Sequence, residues 1–456
     1  MPGWLALAAP LLLWLLLELA VRWWLRRPLA TGFYGPLARD ALRELQERAG
    51  VRAASGPGWV HLGWIADPER EAYAVERRER GAWRELGRAR LGSFLTDAGG
   101  ELRVRARAQR GGAERTLGEA SVEPRPGAPP LLCPRIDGPW RPLFRPREHG
   151  CYVNDHTIYR DAEGRWRLVG ITSRTDGDFR AERWFAVGAS ERFPPEEPMR
   201  EEAPLADFGE LAWAPHVIRA DGRWHMFWSP HRLHQMSSSD GIRWEGHRIT
   251  LDPPRHPFFR DPMVLEVAPG QWLLYTTARG RYFSRVDLYQ SFDLEHWQYI
   301  RPALRTAWGS ERNSPFASTE SPTVVRHAGR FYLALTYNND SFFWPGLLLL
   351  LKRWPGRASY NDTRVFHSAN PYDFGVYRGP RKAPTQVARL AAHAPELILH
   401  PDTGEWWITT AGWPWAATLT TGEVAVAPLR WAPLDGPGRD GRAEGGADPA
   451  PRHAPQ

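Results

Sequence analysis

The chain has 456 residues, enough for two or three domains that each bury a core, and 12% of it is aromatic, with 24 Trp. Its formal charge of +7 comes largely from arginines scattered among glutamates, with no basic block beyond Arg22 to Arg27, which argues against a nucleic-acid partner. Cys133 and Cys151 are the only cysteines, so there is no disulfide framework and room for one bridge at most.

In chain order, the first element is WLALAAPLLLWLLLELAV, residues 4–21, with Glu18 as its single charge. At about 1.5 Å per residue this is close to the length a bilayer core requires. It predicts a membrane anchor helix within residues 1–30. No small-x-small cleavage site follows, and Arg22, Trp23, Trp24, Arg26 and Arg27 form an interfacial collar, so an uncleaved anchor is expected rather than a removed signal peptide. That collar follows the helix, and the positive-inside rule by itself would hold the rest of the chain in the cytoplasm. Leu37, Leu42 and Leu45, spaced among Arg and Glu, then predict an amphipathic juxtamembrane stalk over 31–50, stopped by Gly50.

From Val60 the hydrophobic period changes to two. Short alternating segments such as VHLGWIADP, EAYAVERRE and ELRVRARAQRG are separated by Gly, Asp and Pro turns, the pattern of a small β-sandwich. Trp64, the YAVERR segment from Tyr73, WRELG from Trp83 and the strand from Leu102 together resemble a fibronectin type III module over 51–123, with Leu102 where that family usually has tyrosine. The resemblance implies a spacer without chemistry of its own. EPRPGAPP then predicts a stiff Pro-rich linker over 124–130, and the Gly-, Pro-, Asp- and Arg-rich segment 434–456 predicts a disordered tail.

Between these lie five segments with one plan: a polar residue beside a proline or an apolar run, a Gly-containing turn, and an aromatic-rich strand. They start at Asn154, Trp213, Arg260, Glu320 and Ala394, and outer-strand echoes follow, the last being GEVAVAPLRW. Five units of about four strands predict an all-β fold dominated by a five-bladed β-propeller over 131–433. In such a ring the first residues of the innermost strands converge on one axial cavity. The convergent set is Asp155, His216, Arg260, Asp261, Glu320 and His393. Carboxylates gathered in a partly dry pocket raise one another's pKa and cost several kcal/mol when unpaired, so the arrangement asks for a chemical purpose. Glycoside hydrolysis has one, because it needs one protonated and one ionised carboxyl side by side.

At these residues the chain resembles the furanose-acting glycosidases: the invertases and levansucrases of families 32 and 68, and the arabinanases and xylosidases of family 43. RDP at Arg260 to Pro262, ND at Asn154 and Asp155, and TESP at Thr319 to Pro322 are similar to invertase motifs, whereas WAPHVI at Trp213 is similar to a family 43 motif. His156 and Thr157 stand where either branch usually has proline, and Ser321 replaces the invertase cysteine. On the family 43 pattern Asp155 is the general base, Asp261 the pKa modulator and Glu320 the acid, with inversion. On the invertase pattern Asp155 is the nucleophile, Asp261 stabilises the transition state and Glu320 is the acid/base, with retention. Asn154, His156, Trp213, His216, Arg260 and His393 are the candidate sugar-binding residues, with His216 and His393 equally open to a reading as satisfied core or turn histidines.

Trp213, Trp308, Trp344, Trp413 and Trp415 are open to two readings, stacking on sugar rings or packing between blades. No cofactor is expected, a structural calcium ion stays open, and HRLHQM from His231 reads as a solvated histidine pair. The expected activity is hydrolysis of furanose- or pentose-containing glycans. The competing expectation is a membrane-tethered propeller that binds carbohydrate or assembles without catalysis. Sugar chemistry places the module outside the membrane, in a periplasmic or extracellular setting, against the orientation that the basic collar favours.

Overall fold

A computed structural model describes residues 16, 39–68, 70–109, 114–175, 179–205, 207–253, 259–279, 284–305, 318–338, 360–376, 385–412 and 418–434. Among them no helix is long and apolar enough to cross a membrane. The predicted anchor, Leu16 apart, lies outside the described residues, as do Trp308, Trp344, Trp413, Trp415 and the predicted tail beyond Leu434. Cys133 and Cys151 are both free thiols.

The predicted stalk contains helix α1, Arg39–Ala49. It does not stand free. Leu42, Leu45 and Ala49, one stripe of the helix, pack on Ile65 and Phe292, and Arg48 pairs with Asp293 at 3.2 Å.

Seven strands follow: β1 Val51–Gly56, β2 Trp59–Trp64, β3 Glu71–Glu79, β4 Ala82–Ala89, β5 Ser93–Thr96, β6 Gly100–Ala108 and β7 Arg115–Val122. They form a three-stranded sheet, β1-β2-β5, and a four-stranded sheet, β4-β3-β6-β7. Val60, Leu62, Trp64, Tyr73, Val75, Leu102 and Val104 fill the space between the sheets. Alternation along β3 and β6 sends every second side chain inward, which is why the period-two pattern was readable. Strand β2 departs from alternation because both its faces are covered. Val60, Leu62 and Trp64 face the sandwich core, while Trp59, His61 and Gly63 face the next domain.

That second face docks the sandwich on the neighbouring strands. The Trp59 indole N–H donates to the Ala369 carbonyl at 2.8 Å, and His61 stacks on Tyr372 with ring centres 3.8 Å apart. Gln290 donates to the carbonyls of Trp64 and Gly92 at 3.0 and 2.6 Å. A Cβ at Gly63 would lie 2.9 Å from the Gln290 side-chain oxygen and 3.0 Å from Gln271, so only glycine lets the surfaces meet this closely. The sandwich is docked, through buried and hydrogen-bonded surface.

The remaining described strands form five antiparallel sheets in sequence order. Blade 1 contains His156–Arg160, Trp166–Thr172, Trp184–Ser190 and Arg200–Leu205. Blade 2 contains Trp213–Ala220, Arg223–Ser229, Leu233–Ser238 and Glu245–Leu251. Blade 3 contains Arg260–Ala268, Gln271–Arg279, Ser284–Ser291 and Gln298–Arg305, with Gly375–Val376 added in parallel at its edge. Blade 4 contains Ser318–His327, Arg330–Asn338, Thr363–Ser368 and Gln386–Leu390. Blade 5 contains Leu397–Leu399, Trp406–Thr410 and Val424–Pro433, and its fourth strand is Leu132–Ile136 from the opposite end of the domain.

The predicted outer strand of the fifth repeat, Val424–Pro433, is therefore its third. The edge it would have left open is paired by Leu132–Ile136, and Arg141–Phe144 also pairs with it further along.

Side-chain hydrogen bonds link each blade to the next and close the ring. Thr157 Oγ1 accepts from Val217 N at 3.3 Å, His216 Nε2 lies 3.1 Å from the Val264 carbonyl, and Arg260 donates to Glu320 at 2.7 Å. Thr323 donates to the Pro395 carbonyl at 2.9 Å, and Thr409 Oγ1 lies 2.8 Å from His156 Nε2, which returns to blade 1. The arrangement is propeller-like.

Trp59 sits in the same buried cluster as Met263, Leu273, Leu333 and Tyr372. Truncation by Trp59→Ala should cost about 3–5 kcal/mol. It should also split a single unfolding transition into two as the sandwich uncouples. Denaturant unfolding followed by circular dichroism and tryptophan fluorescence checks this, and one unshifted transition would refute it.

Candidate active site

A short motif repeats at the head of the inner strands: Trp213-Ala214-Pro215-His216, Arg260-Asp261-Pro262-Met263, Glu320-Ser321-Pro322-Thr323 and His393-Ala394-Pro395-Glu396. Its second residue is left-handed in all four, with φ of 48° at Ala214, 56° at Asp261, 49° at Ser321 and 45° at Ala394. Strand pairing slips between Trp213 and His216, between Arg260 and Met263, and between Glu320 and Thr323. These are β-bulges, and proline is tolerated there because no ladder hydrogen bond is asked of it. The slip breaks strict alternation. Arg260 and Asp261, neighbours that a regular strand would send to opposite faces, enter one hydrogen-bonded network.

Blade 1 builds the same corner without proline or a left-handed residue. The Asn154 N–H donates to the Ile171 carbonyl, the Ile171 N–H donates to the Asp155 carbonyl, both at 3.0 Å, and His156 pairs opposite Gly170. A Cβ at Gly170 would come within 2.6 Å of Val153 and 2.9 Å of His156. The missing proline is thus replaced by a close backbone approach.

The strand heads line a pocket with residues of all five blades, among them Asp155, His216, Asp261, Ser321 and Glu396. The Ser321 hydroxyl donates to Asp155 Oδ2 at 3.1 Å, and its backbone N–H donates to Asp261 Oδ2 at 3.0 Å. Thr277 also donates to that Asp261 oxygen, at 3.0 Å. Arg260 lies 3.5 Å from Asp261 and donates to Glu320 Oε1 at 2.7 Å, while the Tyr360 hydroxyl donates to Glu320 Oε2 at 2.5 Å. His393 then joins the Tyr360 carbonyl at 3.2 Å to Asn154 Oδ1 at 3.1 Å, and its Nε2 is 3.9 Å from Asp155 Oδ1. The chain of contacts returns to where it began.

The structure therefore brings together Asp155, Asp261, Glu320, Arg260, His393 and Asn154. His156 and His216 line the pocket but bond within the fold, His156 to the Asn154 carbonyl and Thr409, His216 to the Val264 carbonyl. Trp213 packs against the core shared by blades 1 and 2.

Charge is unevenly distributed over this network. Burial, then the neighbouring Asp261 and Glu320, push the Asp155 carboxyl well above the usual carboxylate range, and its buried Oδ1 has no hydrogen-bond partner. Burial also raises Asp261, opposed by Arg260. Burial would raise Glu320 as well, but the Arg260 guanidinium and the Tyr360 hydroxyl outweigh it and hold Glu320 at about 2. Burial lowers His156, His216 and His393 to about 4. In the free site burial and the neighbouring carboxylates thus favour the protonated form of Asp155, while Arg260 and Tyr360 favour the ionised form of Glu320.

The sequence matches no protein-family model and no curated protein. Solved structures with a similar fold do exist. A thermostable family-43 glycoside hydrolase is 16% identical, with 66% of this chain and 100% of that chain covered and a TM-score of 0.44. A Bombyx mori family-32 β-fructofuranosidase in complex with sucrose is 14% identical over 65% of this chain and 63% of that chain, TM-score 0.44. A Penicillium chrysogenum α-L-arabinanase complexed with arabinobiose is 12% identical over 65% and 98% of the two chains, TM-score 0.41.

Tyr360 and Glu396 went unnoticed in the sequence, and Ser321 stood there only as the replacement for a cysteine, without a role. Ser321 stands at the bulge position that holds Asp261 in blade 3, so the repeat carried a signal for it. Tyr360 arrives from outside the repeats and gave none. Glu396 occupies the fourth position of the fifth motif, where blades 2 to 4 have His216, Met263 and Thr323. Its backbone is fixed to Thr409 by bonds of 2.9 and 3.1 Å, and its side chain lines the pocket.

Burial raises the Glu396 carboxyl from 4.5 to about 8. Its folded-state pKa is the higher one, so its contribution to stability is complete below about pH 4.5 and is lost as pH rises through about 8. Glu396→Gln removes that loss. The variant should gain on the wild type between pH 4.5 and 8, by at most about 1.4 kcal/mol per pH unit, in urea melts at stepped pH. A pH-independent difference would contradict the burial of this carboxyl.

Proposed function

We propose that the axial pocket hydrolyses glycosidic bonds in furanose- or pentose-containing glycans, through Asp155, Asp261 and Glu320. The observation that carries this is the network itself: carboxyls from blades 1, 3 and 4 are joined through Ser321 and Arg260, Asp155 and Asp261 line the pocket, and the surroundings raise Asp155 while holding Glu320 low. Acid-assisted departure of a leaving oxygen and attack at the anomeric carbon require one protonated and one ionised carboxyl.

In the free site Arg260 neutralises Glu320. A sugar hydroxyl or ring oxygen that competes for Arg260 weakens its hold on Glu320 and raises that carboxyl, the direction a proton donor needs. Asp155 is then the ionised base or nucleophile and Glu320 the proton donor, with Asp261 setting the balance between them. Asn154 and His393 hold the rim on the blade 1 side, and Arg260 is the cation available to sugar oxygens.

A second function is favoured by one observation, the clamp of Arg260 and Tyr360 on Glu320, which keeps the expected donor ionised. On that reading the pocket binds carbohydrate without cleaving it. The docked sandwich, whose sheet orders β1-β2-β5 and β4-β3-β6-β7 support a fibronectin type III-like module, then belongs to a presentation scaffold. In either case we propose that residues 1–30 anchor the protein and that the pocket faces the periplasmic or extracellular side. The division into a helix region over 31–50, a sandwich over 51–123, a linker over 124–130 and a propeller over 131–433 is part of the same proposal.

Glu320→Gln and Asp155→Asn should each lower kcat/KM on an aryl arabinofuranoside or fructofuranoside by about 10²–10⁴-fold with unchanged circular dichroism. Undiminished turnover in either variant would remove the catalytic assignment. Saturable glycan binding by the wild type with no product over long incubation would select the binding function instead.

A further inference from the structure

A second cluster lies away from the axial pocket, on the outer half of blade 2. His234 is the second residue of Leu233–Ser238, His247 lies in Glu245–Leu251, and Glu210 comes from the connection that leads from blade 1 to Trp213. The sequence suggested a solvated pair of His231 and His234. The structure separates them: His231 is exposed, whereas the His234 side chain is 1% exposed and turns toward His247 and Glu210.

His234 Nδ1 is 3.1 Å from His247 Nε2 and 3.7 Å from Glu210 Oε1, and the three ligand atoms all lie within 4.8 Å of one another. Ligand atoms about 2.0–2.2 Å from one tetrahedral ion stand roughly 3.3–3.5 Å apart, so the two shortest separations bracket the edge of such a coordination shell.

We propose that Glu210, His234 and His247 form a binding site for a divalent first-row transition metal of the zinc class, which fastens the connection between blades 1 and 2 to the outer strands of blade 2. The donor set is two imidazoles and a carboxylate, which suits zinc, cobalt or nickel and is a poor match for the all-oxygen shells of calcium or magnesium. The histidines are preorganised by one indole. Trp228 stacks on His234 at 5.3 Å and 16° and on His247 at 5.1 Å and 29°. Phe208 meets His247 edge-on at 6.1 Å and stacks obliquely on Trp228 at 4.7 Å, so an aromatic wall closes one side.

The third ligand is the adjustable one. Glu210 is 47% exposed in its side chain, but its backbone neighbourhood is pinned, with the Ala212 N–H donating to the Glu182 carbonyl at 2.8 Å. A small rotation of that side chain brings its oxygen to the ion, and a solvent molecule completes four-coordination. The site is independent of the axial chemistry, since none of its ligands lines the axial pocket.

The test uses untagged full-length protein stripped with a strong chelator and titrated with Zn²⁺ against a chromophoric competitor, with Co²⁺ as the spectroscopic probe. The expected result is one Zn²⁺ per chain, visible tetrahedral Co²⁺ bands, and a thermal midpoint raised by a few degrees with metal in excess. His247→Gln and Glu210→Gln should each weaken binding by more than about 100-fold, since losing a ligand exceeds the cost of losing an outer-shell partner. If His247→Gln fails to fold, the exposed Glu210→Gln still decides. Binding that does not saturate at one ion, or variants that bind as the wild type does, would overturn the site and leave a histidine pair joined only by a hydrogen bond.

Discussion

The axial site depends on one guanidinium. Arg260 stands 2.7 Å from Glu320 and 3.5 Å from Asp261, with Asp155 joined to Asp261 through Ser321. Three ionised carboxylates against a single positive charge would leave two uncompensated charges in a poorly hydrated hollow, which is more than burial allows. The network therefore favours keeping a proton, and the shift is upward at Asp155, whose Oδ1 makes no hydrogen bond. Arg260 itself is driven to stay protonated by the same neighbours. A site built this way pushes its carboxyls in opposite directions, Asp155 up and Glu320 down, through one cation.

What places Arg260 and Asp261 in one network is backbone geometry. Left-handed residues before proline are strained, at a cost on the order of 1–3 kcal/mol each, and four inner strands adopt them at the same point. The ring offsets that strain through the bonds that tie each bulge down: the Asp261 N–H donates to Ser229 at 2.9 Å, and the Ala394 N–H donates to Thr336 at 2.9 Å. A fold without these slips would present one charged residue per strand head. With them, blades 3 and 4 present two polar positions each, and the pocket becomes dense enough in titratable groups for their pKa values to part.

How much of this was legible follows from how local each signal is. Period-two alternation and the Asp-Pro, Ser-Pro and Ala-Pro punctuation are written in neighbouring residues, so the repeated strand pairs and the meeting of Asp155, Asp261 and Glu320 could be read directly. The pairing of Leu132–Ile136 with Val424–Pro433 joins segments nearly 300 residues apart, and no local pattern reports it. Glu396 was hidden for a different reason, because its significance comes from desolvation, a property of the closed ring. The hydrogen bond from Tyr360 to Glu320 was not legible because that tyrosine belongs to no repeat. The two-sided burial of β2 was visible as the run WVHLGW but was read as one wall of a sandwich.

That run has a consequence for the pocket. Trp59, on the outward face of β2, shares a buried cluster with Met263, and Met263 lines the pocket two residues after Asp261. His61 stacks on Tyr372, whose N–H is held by the Asn370 side chain at 2.9 Å, next to Ala369 at the end of the blade 4 strand Thr363–Ser368. The sandwich thus braces blades 3 and 4, the two that supply Arg260, Asp261 and Glu320. Interiors packed at crystalline density transmit small displacements instead of absorbing them. The sandwich carries no group that reaches the pocket, yet it packs on the two blades whose strand heads carry Arg260, Asp261 and Glu320.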